Sequence, residues 1–185
     1  MHQLNIVDRI PNGALLYGFH PDADLRPDAL KAIMNTVYDY KILALDAMIA
    51  ANARDVELLG VYRAKIEKER GGKSVCHDAA FQRATRERVA QLLKDLNHTL
   101  GRASFPYLKG TPFSLGDVLR GVNLVRLTYL GLASMWVGLP NVARYFDALV
   151  KRPSLYREAV QATIGSLPHS SHMDEIAGDR DALSA

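Results

Sequence analysis

Cys76-His77 is the pair in this chain whose residue types most directly suggest covalent chemistry. A thiol becomes a nucleophile where a helix N-terminus or a cation stabilises its thiolate, and a helix predicted to start at His77 or Asp78 would supply the first. No third group orients the pair, so an incidental loop cysteine after Gly71-Gly72 is the simpler reading. Tyr38, Tyr40 and Lys41 gather two phenols and an ammonium on one predicted helix. Ser114 and Asp117 place a hydroxyl three residues from a carboxylate, but no histidine lies in register to complete a triad. Their spacing is that of a capping box, with Ser114 as N-cap and Asp117 reaching back to its amide. The six histidines (His2, His20, His77, His98, His169 and His172) show no helical i, i+4 pair and no cysteine at zinc spacing, so no metal site is expected. Arg83, Arg86 and Arg88 with Arg54, Arg63 and Lys65 would form an anion patch, but Glu87, Asp55 and Glu67 interleave with them, as on an ordinary solvated face.

The elements that must position these residues read as helices throughout. Residues 1–26 look like a connector: Ile6, Val7 and Ile10 end a short helix stopped by Pro11, and Asn12-Gly13 and His20-Pro21-Asp22 have turn chemistry. A helix begins near Pro27, with apolar residues recurring at Leu30, Ile33, Met34, Val37, Ala44, Leu45, Met48 and Ile49, broken only at Lys41. A second runs from Val56 to Arg70, with a charged outer face from Arg63 onward, and Gly71-Gly72 is read as its stop. A third, to Leu100, carries Phe81, Ala84, Val89, Leu92, Leu93, Leu96 and Leu100 as its stripe. The capped helix spans Leu115 to Tyr129 and is apolar on nearly every side (Val118, Leu119, Val122, Leu124, Val125, Leu127), which marks it as buried. After Trp136, Pro140 opens a helix with Val142, Tyr145, Phe146 and Leu149 inward; Pro153 breaks it, and a last helix carries Leu155, Ala159, Val160 and Ile164. Residues 165–185 read from composition as a mobile tail. No alternating strand pattern occurs, so the fold class is all-α.

The 185 residues suffice for one domain with a real core. A net charge of +3, spread among interspersed acids and bases, argues against nucleic-acid binding. A single cysteine rules out an internal disulfide framework and fits a reducing compartment. Neither a signal-peptide pattern nor an apolar run of membrane-spanning length is found, so no membrane association and a cytoplasmic location are expected.

The second half resembles the all-helical C-terminal domain of cytosolic glutathione transferases. The resemblance rests on the order of parts. A Tyr107-Leu108-Lys109-Gly110 turn leads into Phe113-Ser114-Leu115-Gly116-Asp117-Val118 and a buried helix. Gly131-Leu132, Leu139-Pro140-Asn141-Val142-Ala143-Arg144-Tyr145 and Val150-Lys151-Arg152-Pro153-Ser154 follow. It is specific over 105–160 and looser over Pro27–Leu100, where the family has a long helical hairpin; residues 1–26 resemble its inter-domain linker. Between Asn52 and Asp78 the chain is longer and more charged than a compact family hairpin.

The resemblance implies a glutathione-transferase C-terminal-like helical bundle over 27–164, flanked by the linker 1–26 and the tail 165–185. It implies that Met34, Tyr38, Lys41, Tyr129 and Trp136 line a pocket for a hydrophobic small molecule; core packing is the alternative for the same residues. The family's thioredoxin-like domain supplies a thiol-activating Tyr, Ser or Cys, a cis-proline and a Glu/Gln-Ser pair, none of which is found here. The expectation is therefore the substrate-pocket half of an enzyme that conjugates or reduces hydrophobic electrophiles with glutathione. That half would carry no catalytic residue, be inactive alone, and use glutathione only when a thioredoxin-like domain is supplied, in trans for instance. The helices at 27–100 would form a homodimer surface. The competing expectation is a non-catalytic binding or assembly module.

Overall fold

A computed structural model of the chain describes residues 12–18 and 21–181. Among these residues the fold is all-α: there is no strand, only an isolated bridge between Tyr107 and Gly110. The main helices are α1 (Asn12–Tyr17), α2 (Asp28–Ala51), α3 (Val56–Cys76), α4 (Ala79–Arg102), α5 (Leu115–Tyr129) and α6 (Pro140–Val150). None is long and apolar enough to cross a membrane. The helix expected over Ile6–Ile10 lies outside the described residues. The span 27–164, expected as one domain, is divided between two compact units. One comprises Asn12–Asp24 and Asp28–Ala84; the described part of the other comprises Leu25–Pro27 and the chain from Thr85 onward.

In the first unit α2 and α3 form the hairpin. Asp55 caps α3 by accepting from the Leu58 amide at 3.0 Å, and Asp78 caps α4 by accepting from the Phe81 amide at 2.8 Å. The stripe expected on α2 is only partly inward: Leu30 is buried and Met34, Val37, Leu45 and Ile49 are half-buried, whereas Ile33, Ala44 and Met48 are exposed; Tyr38, outside that stripe, is buried. Two local expectations are corrected. Asn12-Gly13 opens α1 rather than a turn. Gly71-Gly72 does not end α3, which continues to Cys76. Gly72 is needed for approach, not termination: a Cβ there would lie 3.0 Å from the Tyr38 ring and 3.2 Å from its hydroxyl.

The second unit is built around α5. Both halves of the Ser114–Asp117 capping box are present. The helix ends in a Schellman motif, with Leu132 N–H on the Leu127 carbonyl, Gly131 N–H on the Thr128 carbonyl, and Gly131 at φ 75°. Leu124, Val125, Leu127, Tyr129 and Leu130 are buried, although Val122 is not. On α4 the inward positions are Thr85, Val89, Leu93, Leu96 and Leu100; α4 starts in the first unit, where Gln82 rather than the expected Phe81 points inward. Asn141 is held by Asn97 through its backbone amide at 2.9 Å and its side-chain amide at 3.1 Å, which anchors the start of α6 on α4. Val142, Tyr145, Phe146 and Leu149 of α6 face the core as expected. Pro153 then opens a short turn that continues as π-helix over Tyr156–Gln161 and α-helix over Ala162–Ser166. Residues 165–181 differ from a mobile tail in having regular structure: a 3-10 turn at Ser171–Met173, with Met173 buried, and a helix at Asp174–Asp181.

Candidate functional site

A cluster of chemically capable side chains lies in the first unit, where α1, α2 and α3 converge. Tyr38 and Lys41 are one helical turn apart on α2 and share a face. The Lys41 ammonium lies 4.6 Å from the centre of the Tyr17 ring and 5.1 Å from that of Tyr38, and the two rings meet edge to face at 5.5 Å. This is cation–π geometry, in which the aromatic faces hold a partly desolvated charge. Glu69 completes the site from α3, with Lys41 at 3.3 Å and Lys65 at 2.8 Å. Its side chain is only 9% exposed. The hydrogen bond from Lys65 holds its carboxyl below the ordinary range; burial pushes the other way, and Lys41 adds to the lowering.

Behind this cluster the Tyr38 hydroxyl and the Cys76 thiol are 3.3 Å apart and both buried. Burial first, and then the contact with Cys76, drive the Tyr38 pKa upward, so the phenol stays neutral. Cys76 is the last residue of α3, at the negative end of a helix dipole rather than at a helix N-terminus. His77 follows it, exposed, outside the helix. The loop-cysteine expectation is corrected too: Cys76 is helical, and its carbonyl accepts from Gln82 Nε2 at 3.2 Å. Gln82 also donates to the Ala14 carbonyl at 3.2 Å, tying α1 to the end of α3. A Cβ on Gly18 would run into the Ala14 backbone carbonyl as well as the Gln82 side-chain amide, so only glycine fits.

Of the five residues expected to line a pocket, Tyr38 and Lys41 are brought together, and Met34 sits half-buried one turn earlier on the same helix. Tyr129 and Trp136 belong to the other unit and are 2% and 5% exposed. Trp136 packs edge to face on Phe146 at 5.7 Å. The Tyr129 hydroxyl donates to the Pro168 carbonyl at 3.0 Å. Tyr17, Glu69 and Gln82 were missed. Glu69 had a signal, since it follows Ile66 by three residues and Lys65 by four, inside a run read as a solvated face.

Ser114 and Asp117 form a structural constellation. The Asp117 carboxylate is wholly buried. One oxygen accepts from the Leu108 amide and the Tyr145 hydroxyl, each at 2.9 Å; the other accepts from the Ser114 amide at 2.8 Å and the Ser114 hydroxyl. With its acceptor sites filled, the carboxylate is not disposed to act as a general base. Nearby, the Arg152 guanidinium lies 3.9 Å from the centre of the Phe113 ring and donates to the Tyr107 hydroxyl at 2.9 Å, pinning the loop that leads into α5. The basic residues read as a solvated face include Arg83, 3.6 Å from Asp22. Among the described residues no group of His, Cys, Asp and Glu is arranged to hold a metal ion.

No family model matches the chain, and no solved structure matches it. It is similar to the 2,5-dichlorohydroquinone reductive dechlorinase of Sphingobium indicum, represented by two strains, with 34% identity over 164 residues in each case. The match covers 87% of this chain and 47% of the dechlorinase, so the chain spans about half the length of the curated relatives it matches. Taken with the all-α fold and its capped core helix, this similarity supports a glutathione-transferase-like family for the chain.

Proposed function

We propose that this chain is the helical, substrate-reading portion of a glutathione-dependent enzyme that reduces or conjugates hydrophobic electrophiles, with chlorinated hydroxyaromatics as the substrate class. The observation that carries this reading is the 34% identity to a reductive dechlorinase over 87% of the chain. The Tyr17–Tyr38–Lys41 cluster suits such a substrate: aromatic faces for the ring, and an ammonium for a phenolate oxygen. An ammonium carries three donors, and Lys41 is 37% exposed beside Glu69. The Tyr38 hydroxyl and the Cys76 thiol, buried against each other, are not placed to meet a glutathione thiol. Thiol activation is therefore assigned to a thioredoxin-like domain, in the same chain or in trans, and this portion chooses the substrate without turning it over alone. The reading also places the protein in the cytoplasm.

The test is binding followed by chloride release. 2,5-Dichlorohydroquinone under anaerobic conditions should shift the melting temperature of the purified chain. Lys41→Met should weaken that binding by about tenfold, and Lys41→Arg should restore part of it. Glutathione plus the chlorohydroquinone should release no chloride above the uncatalysed rate. Turnover by the chain alone would overturn the division of labour; binding indifferent to Lys41 would overturn the site.

A second reading, an assembly module, is favoured by one observation. The α2 face bearing Ile33, Tyr40, Leu43 and Met48 is 46–68% exposed. That face suits a second copy of the chain, and light scattering on the purified protein tests it.

A further inference from the structure

Tyr129 is the last residue of α5, and its hydroxyl and its backbone carbonyl are both taken by one short segment. Its hydroxyl donates to the Pro168 carbonyl at 3.0 Å, and its carbonyl accepts from the Ser170 hydroxyl at 2.9 Å. Two residues on, His172 Nε2 meets the Leu25 carbonyl at 3.0 Å, and Met173 is buried. The His172 ring lies over Gly131, where a Cβ would come within 2.7 Å of it. Residues 167–173 are thus a strap drawn across the end of the core helix.

Beyond these points the strap is bonded to its own chain neighbours, Leu167 N–H to the Thr163 carbonyl and His169 to Asp174. Val160 is buried and so is Ser170, but none of residues 161–169 between them is. Ile164 and Leu167 are 43% and 42% exposed, and a Cβ on Gly165 would meet nothing within 4 Å. After Met173, residues 174–177 are exposed or half-buried. A segment with few buried side chains, held mainly by single hydrogen bonds, opens at much lower cost than the core beneath it.

We propose that residues 167–173 form a gate over Tyr129 that opens while the rest of its unit stays folded. Opening uncovers a phenol hydroxyl and a backbone carbonyl at the C-terminal end of α5. The hydroxyl becomes a donor for an oxygen on a small hydroxyaromatic molecule. This last step rests on the function proposed above; the opening itself does not.

The test on the full chain is acetylation of tyrosines by N-acetylimidazole, followed residue by residue by mass spectrometry. Tyr145, 1% exposed in the same unit, reports global opening. Ser170→Ala and His172→Ala release the strap at different points, and either suffices if the other misfolds. Each should speed acetylation of Tyr129 between about twofold and tenfold, the range that one lost net hydrogen bond allows, and leave Tyr145 unreacted. Parallel acceleration of Tyr129 and Tyr145, or no acceleration of Tyr129, overturns the gate. Amide exchange at 167–177 is then followed with 2,5-dichlorohydroquinone present. Faster exchange means the ligand holds the strap open. If the acetylation pattern holds but the ligand changes nothing, the gate stands and the Tyr129 hydroxyl is not a donor to that ligand.

Discussion

Asp117 shows how one buried carboxylate organises a helix entry. Its four hydrogen bonds come from two backbone amides, one serine hydroxyl and one tyrosine hydroxyl. Burial, followed by the neighbouring Asp117 charge, pushes the Tyr145 pKa upward, so Tyr145 remains a protonated donor. Replacing Asp117 with Asn puts an NH2 group against N–H and O–H donors and leaves at least one of them unsatisfied. Asp117→Asn should therefore cost about 2–4 kcal/mol, whereas Ser114→Ala should cost about 0.5–2 kcal/mol. Urea denaturation of the two variants checks the order, and the reverse order would mean that the carboxylate is not the organising group. Glu69 makes a pH prediction. Its carboxyl is held below its ordinary value of 4.5, chiefly by the Lys65 hydrogen bond. A lowered carboxyl contributes stability that is fully present above the unfolded value and is lost as pH falls from there through the folded value. The wild-type melting temperature should therefore drop on acidification below about pH 4.5, and the gap to Glu69→Gln should close over that window. Because both lysines are more than a third exposed, the gap at neutral pH should correspond to no more than about 1 kcal/mol.

At the scale of elements, what could be read in the sequence depended on how far away the deciding partner lay. The α5 boundaries were legible because cap, capping-box partner and terminal Gly131 are all local to the helix. The end of α3 was not, since Gly71-Gly72 has the composition of a stop and only Tyr38, on another helix, shows what Gly72 is for. Likewise the segment after Gly165 is polar and reads as tail, yet Ser170 and Pro168 find their partner about forty residues upstream, at Tyr129. The site was half legible for the same reason. Tyr38 and Lys41 are one turn apart and could be paired from spacing, while Cys76 and Glu69 reach them from 38 and 28 residues away. The two glycines make the point testable. A Cβ at Gly71 meets nothing within 4 Å, so Gly71→Ala should stabilise α3 by about 0.5–1 kcal/mol through helix propensity alone. Gly72→Ala carries the same propensity gain but presses on Tyr38, a buried ring already engaged by Cys76, and should give a net loss of about 1–2 kcal/mol. Thermal melts of the pair decide it, and equal stabilisation by both would remove the close approach as the reason for Gly72.

For the whole molecule, the question is what covers α2. A helix that is apolar around most of its circumference is ordinarily buried on most of it. In α2, Leu30 and Tyr38 are buried, while Ile33, Tyr40, Ala44 and Ala47 recur at spacings that place them on one opposite face, with Leu43 and Met48 at its margins. Tyr40 at 68% and Leu43 at 63% are among the most exposed large side chains described. Small alanines between larger side chains let a second helix approach closely, and closed two-fold pairing is the commonest way for a chain to cover such a face with itself. The protein should therefore scatter as a particle of twice 20.5 kDa. Leu43→Asp should return it to the monomer mass. Since Leu43 makes little use of its own unit for burial, the change should leave the stability of the dilute protein within the small range usual for surface substitutions, about 0.5 kcal/mol either way. A wild-type chain that is monomeric at every concentration would rule out self-pairing and leave the face to a different domain. A Leu43→Asp chain that loses both association and helicity would show that the face belongs to the fold rather than to an interface.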